Sequence, residues 1–395
     1  MSARAAIYLD ANAGIPPLPV IRDSMAEILP LLHNPSSSHG HGRAARALIT
    51  RAKSQITRLL EQWLPGLTES GWVFTSGVTE SIQGVLRAAG QSGLLRFAQP
   101  VEHSASLSFA ESQPVFMPMD STGRVDVDAL ESFLDTFLKS TQSESQRPFL
   151  ATLLWVNNET GAIQHRMNDV CRIIKNAGGW VLVDGAQALG KLSDHLEPQN
   201  WDFFAASAHK LGGFSGTGLL AFSESGRKLL QSHPVFFGGQ QAGLRAGTEN
   251  ALGAWAFGVA AQADVWAPLR GVKPQLGDLR NELAARMMES VPGTKIHVPL
   301  GQCIPNTLSV GFDGISAKAG SLVTRLDLEG FSVSAGSACS SGIRKPSHVL
   351  KALGCSDALA LASLRISLPP SVRFSEIEEF ILALSRCVSS LRGAS

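Results

Sequence analysis

The stretch Gly178–Gln187, "GGWVLVDGAQ", is a glycine turn, a short unbroken apolar run, and then an aspartate at the head of a polar turn. A brief valine-rich run without polar alternation is the pattern of a strand buried on both faces, as in a parallel sheet covered by helices. Similar runs recur from about residue 70: "GWVFTSG", "GLLRFA", "PVFMPM", "FLATLLWVNN", "DFFAASAHK" and "GTGLLAF", mostly separated by stretches of helical length. This alternation predicts an α/β fold with a mainly parallel sheet flanked by helices. Ligands of such sheets sit beyond the carboxyl ends of the strands.

After residue 250 the texture changes to an Ala-rich helix, a second helix through "PQLGDLRNELAARMMESV", and short strands such as "NTLSVGF" and "LRISL". A smaller α+β domain is expected here. The boundaries predicted are 15–264 for the large domain, with 1–14 and 265–395 in the small one.

With 395 residues, 44 % of them apolar and 17 % charged, the chain has the composition of an ordinary globular protein. Lys and Arg number 34 against 33 acids, so no general field attracts nucleic acid or an anionic membrane. The cysteines, Cys171, Cys303, Cys339, Cys355 and Cys387, are scattered and odd in number, which predicts free thiols in a reducing, cytoplasmic setting. "MSARAAIYLDANAG" has too short an apolar run for a signal peptide, and "LGAWAFGVAAQADVWAPL" is interrupted by Gln262 and Asp264, favouring a buried helix over a membrane span.

Three strand ends carry chemistry. "WVFTSGVTES" runs from a strand through Ser-Gly into a helix near Thr79, where free N–H groups suit an anion; many ordinary helix starts look the same. Asp184 either holds a protonated ring nitrogen or caps the following turn. In "DFFAASAHKLGG", Ser207, His209 and Lys210 follow a buried strand; Lys210 is either solvated or engaged with a carbonyl cofactor. The interval from Asp184 to Lys210 is about one crossover between neighbouring parallel strands, so both can face one pocket. A phosphate-binding helix start, a ring-nitrogen carboxylate and a Schiff-base lysine together are the parts needed for pyridoxal 5′-phosphate.

The landmarks "IYLD", "NPSSSHGHG", "FTSGVTES", "VEHSASL", "VNNETG", "VDGAQALGKL", "SAHKLGG", "GLRAGTEN", "SAGSACSS", "PSHVLKALG" and "LRISL" span nearly the whole chain. In order and spacing it resembles the cysteine desulfurases, class V aminotransferase relatives among the fold-type I pyridoxal-phosphate-dependent transferases. The resemblance implies that Lys210 carries the cofactor and that Val78, Thr79, Ser207 and His209 bind its phosphate. His103 stacks on the ring, Asn158 and Gln187 contact its 3′-oxygen side, and Asp184 pairs with its nitrogen. Thr248 reaches the phosphate in the other subunit of an obligate homodimer, and Arg365 captures the carboxylate of L-cysteine.

The same resemblance implies that Lys210 moves the Cα proton and that Cys339 attacks the substrate sulfur, becoming a persulfide as alanine leaves. Read from the residues alone, Cys339 is either a small buried thiol or a reactive one in a mobile loop, about residues 332–346. The segment resembles the longer-loop branch, which passes sulfur to an acceptor protein such as an iron–sulfur scaffold or a sulfur carrier. Departures from the family pattern are Gly14 and Ile15 where a Thr-Thr pair is usual, "AHK" for "GHK", Phe214 and Ser215 in "GFSG" for "GPKG", and Gln241 in "GGQQ" for "GGQE". The alternative is another class V pyridoxal-phosphate enzyme, an aminotransferase or selenocysteine lyase.

Overall fold

The computed structural model describes residues 6–111, 113–140, 148–267, 275–315, 320–335 and 345–392. The apolar runs become a seven-stranded sheet in the spatial order Trp72–Thr75, Gly218–Phe222, Phe203–Ser207, Trp180–Asp184, Phe149–Leu154, Leu95–Ala98, Val115–Phe116. The five strands from Phe203–Ser207 to Val115–Phe116 are mutually parallel. Gly218–Phe222 runs antiparallel to both of its neighbours. The reason is connection length: residues 208–217 are too few for a helical crossover, so the chain turns straight back.

Burial on both faces explains the unbroken apolar runs. Val181, Leu182, Val183, Phe203, Phe204 and Ala205 are wholly inaccessible to solvent. The amphipathic helices Val78–Gln91 and Met167–Asn176 lay their apolar stripes on the sheet. The Ala-rich Ala251–Ala263 is apolar on nearly all sides and is buried, packed along Gly40–Leu60. No helix among the described residues is long and apolar enough to cross a membrane.

A second sheet, of four strands, has the order Ser334–Ala335, Ser363–Ser367, Thr307–Phe312, Thr294–Ile296. Near it, Ile7–Tyr8 pairs in parallel with Phe331–Ser332, and Asp10 bridges Ser367. The N-terminal chain is thereby sewn to the C-terminal sheet and then crosses to the large one, where Ile15 N donates to His209 O at 2.9 Å.

Gln241 guards the exposed edge of the large sheet. Its Oε1 accepts from Phe74 N at 2.6 Å and its Nε2 donates to Phe74 O at 3.0 Å, copying a ladder partner. A carboxylate at this position cannot donate. Gln241→Glu is therefore expected to lower stability by about 1–3 kcal/mol at pH 8 and to recover part of that near pH 5, where the protonated acid regains a donor. Urea melts at the two pH values check this; equal stability of variant and parent at pH 8 contradicts it.

Candidate active site

The carboxyl ends of the parallel strands open into a cavity of about 450 Å³, a size usual for small-molecule sites. Val78, Thr79, His103, Asn158, Asp184, Gln187, Ser207, His209, Lys210 and Arg365 all line it. Of the residues expected from sequence, two are not among them. Thr248 is exposed and outside the cavity, and Cys339 lies outside the described residues.

One wall is a helix start. The helix Val78–Gln91 begins at Val78, behind an N-cap at Gly77 and one residue earlier than a Thr79 start, and no side chain among the described residues caps its first N–H groups. This leaves donors and the positive end of the dipole directed at an incoming anion. Gly218 must be glycine for the cradle to close, because a Cβ there would lie 2.6 Å from Gly77 Cα and 2.8 Å from Ala206 O. Ser207 Oγ and His209 Nδ1 are 2.8 Å apart beside it. Burial, with Lys210 adding to it, lowers the His209 pKa to about 4, so its ring is neutral at physiological pH.

Glu80 stands just behind the helix start, where a bare carboxylate would repel an anion. Its charge is met by Arg245, whose Nε donates at 2.8 Å, while Ser76 N donates at 2.8 Å. Burial alone would raise this carboxyl, but the hydrogen bonds from Arg245 and Ser76 hold it below the ordinary range.

At the centre, Asp184 satisfies both readings of its position. Oδ1 accepts from Ala186 N at 2.9 Å, capping the turn, and the carboxylate also lines the cavity. Burial raises its pKa, against the attraction of Ala186 N–H, His103 and Lys210. A cationic N–H placed against it is the partner such a carboxyl lacks. His103 caps the short helix Ser104–Leu107 by accepting from Ala105 N at 3.0 Å through Nδ1, which leaves the neutral ring protonated on Nε2.

Lys210 ends the single 3₁₀ turn Ala208–Lys210 after the Phe203–Ser207 strand. Its Nζ donates to Asn12 O at 2.5 Å and Ala13 O at 3.0 Å, and no carboxylate among the described residues binds it directly. Burial, reinforced by Arg365, lowers its pKa to about 8 against the pull of Asp184 and Asp10. Arg365 comes from the strand Ser363–Ser367 of the four-stranded sheet. Its Nη2 pairs with Asp10 at 2.7 Å, its Nη1 donates to Asn158 O at 3.0 Å, and its Nε is buried without a partner.

Sequence reasoning missed Asp10 and Asn12. "IYLD" is a landmark that contains Asp10 and stops two residues short of Asn12, but its distance along the chain from Arg365 and Lys210 conceals the contacts. The sole tyrosine, Tyr8, spends its hydroxyl on Asp10 O and Gly14 O, at 2.8 and 2.7 Å, in the same loop.

These features fit pyridoxal 5′-phosphate: an uncapped helix start for the phosphate, a carboxylate without a cationic partner for the ring nitrogen, and a lysine amine held only by carbonyls. The amine is expected to react accordingly. In cofactor-free protein, the rate at which pyridoxal phosphate develops its visible band should rise with pH through about 8 and then level off, since the neutral amine is the nucleophile and its pKa is lowered. A rate still climbing tenfold per unit above pH 9 contradicts this.

The aminotransferase class-V family model matches residues 7–380. A cysteine desulfurase from Cereibacter sphaeroides is 32% identical over 404 residues, covering 98% of this chain and 97% of that protein. Among solved structures, a NifS-like protein superposes with a TM-score of 0.82 at 28% identity, over 98% of this chain and 100% of the other. A structure titled "SspA in complex with cysteine" matches with a TM-score of 0.71 at 25% identity, over 92% and 99% of the two chains. With this family match running through both sheets and the cavity between them, the chain belongs to the class-V aminotransferases, among the cysteine desulfurases.

Proposed function

We propose that the protein is a pyridoxal-phosphate-dependent cysteine desulfurase, converting L-cysteine to L-alanine and passing the sulfur through a persulfide on Cys339 to an acceptor protein. The observation that carries this reading is the meeting of Lys210, Asp184, His103 and Arg365 in one cavity, in a chain of that family. The structural neighbour titled as a complex with cysteine supports the choice of substrate.

The bound cofactor supplies an electron-withdrawing ring that makes the Cα proton of an amino acid removable. The protein's own residues do the rest. Val78 and Thr79 N–H, Ser207 and His209 hold the phosphate, Asp184 keeps the ring nitrogen protonated, and His103 covers the ring face. Arg365, aimed by Asp10, takes the substrate carboxylate through its guanidinium. Lys210, with its lowered pKa, is available as an uncharged base near neutral pH and carries the Cα proton.

Cys339 thiolate then attacks the substrate sulfur. The S–S bond forms as the Cβ–S bond breaks, the electron pair stays on Cβ, and Cβ takes up a proton, so no outside oxidant enters.

We further propose a homodimer in which Thr248 serves the phosphate site of the other copy. Thr248 is exposed away from its own cavity, and nearby Phe237 is 87% exposed, an apolar surface suited to a partner. An iron–sulfur scaffold or sulfur carrier is the proposed acceptor.

Incubation with L-cysteine and a reductant tests the reading. The parent should release sulfide and alanine in equal amounts, whereas Cys339→Ala should keep the cofactor's visible band and lose sulfide release by at least a hundredfold. Sulfide release unchanged in Cys339→Ala overturns the persulfide route.

A further inference from the structure

Lys191 is a second buried lysine beside the cavity, with no part in the scheme above. It is 2% exposed, and no carboxylate among the described residues binds it. Its Nζ donates to Gln187 Oε1 at 2.7 Å and to Asn12 Oδ1 at 3.1 Å, and it lies 4.5 Å from the centroid of the Trp266 ring. The turn that delivers it depends on Gly190, with φ of +81°, where a Cβ would lie 2.7 Å from Leu211 Cδ2.

The consequence falls on Gln187. Its Nε2 donates to Asn12 O at 2.8 Å, so both ends of the amide are specified. Turned over, the amide would set two acceptors, Oε1 and Asn12 O, against each other and remove Lys191's acceptor. Burial holds the Lys191 amine well below the ordinary lysine range. The arrangement survives either protonation state, because even an uncharged amine has a hydrogen for each of its two oxygens. With Oε1 held by Lys191 and one N–H by Asn12, the donor that Gln187 can still offer is its second N–H.

We propose that Lys191 is a positioning residue that locks the Gln187 amide so that it presents an N–H donor, rather than a carbonyl, to an oxygen of the ring bound in the cavity. This rests on the pyridoxal-phosphate reading above. Asn12 is held by the same lysine: its Nδ2 donates to Thr307 Oγ1 at 2.9 Å while its backbone oxygen receives Lys210. One buried amine therefore steadies two groups around the cofactor lysine.

The test is a double-mutant cycle read by titrating pyridoxal phosphate into cofactor-free protein and following the visible band. Lys191→Met should weaken binding roughly fivefold, the worth of about one net hydrogen bond, and shift the band. In a Gln187→Ala background the same change should alter affinity less than twofold, since the group it orients is gone. Melting temperatures of the four proteins separate a stability loss, which would appear in both backgrounds. Should Lys191→Met not fold, Lys191→Leu, which likewise removes the donor, takes its place in the cycle. An equal loss of affinity in both backgrounds, or none in either, overturns the proposal. Failure of the parent itself to bind pyridoxal phosphate would instead overturn the cofactor reading.

Discussion

A lysine amine largely screened from water, with no carboxylate among the described residues to hold it, is the constraint around which this molecule is organised. Lys210 rests on the carbonyl oxygens of Asn12 and Ala13, which accept hydrogen bonds but supply no neutralising charge. Burial and the Arg365 guanidinium act on it in the same direction, favouring the uncharged amine. An amine so placed is close to the state in which it bonds to a carbonyl or accepts a proton from carbon. The same surroundings that make it costly to bury make it reactive.

Those carbonyls must be brought from far away. The loop from Asp10 to Gly14 is fixed by the C-terminal sheet: Ala11 N donates to Ser367 O and Ser367 N to Leu9 O, while Asn12 N donates to Ser367 Oγ. Asp10 completes the join by pairing with Arg365, both of them largely buried. Breaking a pair like that by removing one partner costs about 3–5 kcal/mol, so Arg365 and the loop holding Lys210 are secured by one interaction. The two sheets meet at the cavity through these contacts.

Much of this was legible in the sequence, for a physical reason. Strands buried on both faces need unbroken apolar runs, so the polar residues at their ends stand out, and Asp184, Ser207, His209 and Lys210 do so. All seven strands of the large sheet follow those runs. The reversal of Gly218–Phe222 was less visible, since direction is set by the length of a connection and not by the composition of the strand. Least visible were the partners. The contacts of Asp10 with Arg365, of Asn12 with Lys210, and of Gln241 with Phe74 join residues far apart in the chain, and no local pattern announces them. Glu80 with Arg245 is the same case, two charges lying within recognisable motifs whose pairing is made only by the fold.

The central claim, that Lys210 is the amine to which the cofactor bonds, is tested most directly by borohydride reduction of the protein loaded with pyridoxal phosphate, followed by peptide mapping by mass spectrometry. Lys191 and Lys210 stand close together at the cavity, with Lys191 Nζ and Lys210 Nζ both bonded to Asn12. The account predicts one pyridoxyl group per chain, on Lys210, and an unmodified Lys191. Labelling of Lys191, or of a surface lysine with Lys210 left free, would contradict it.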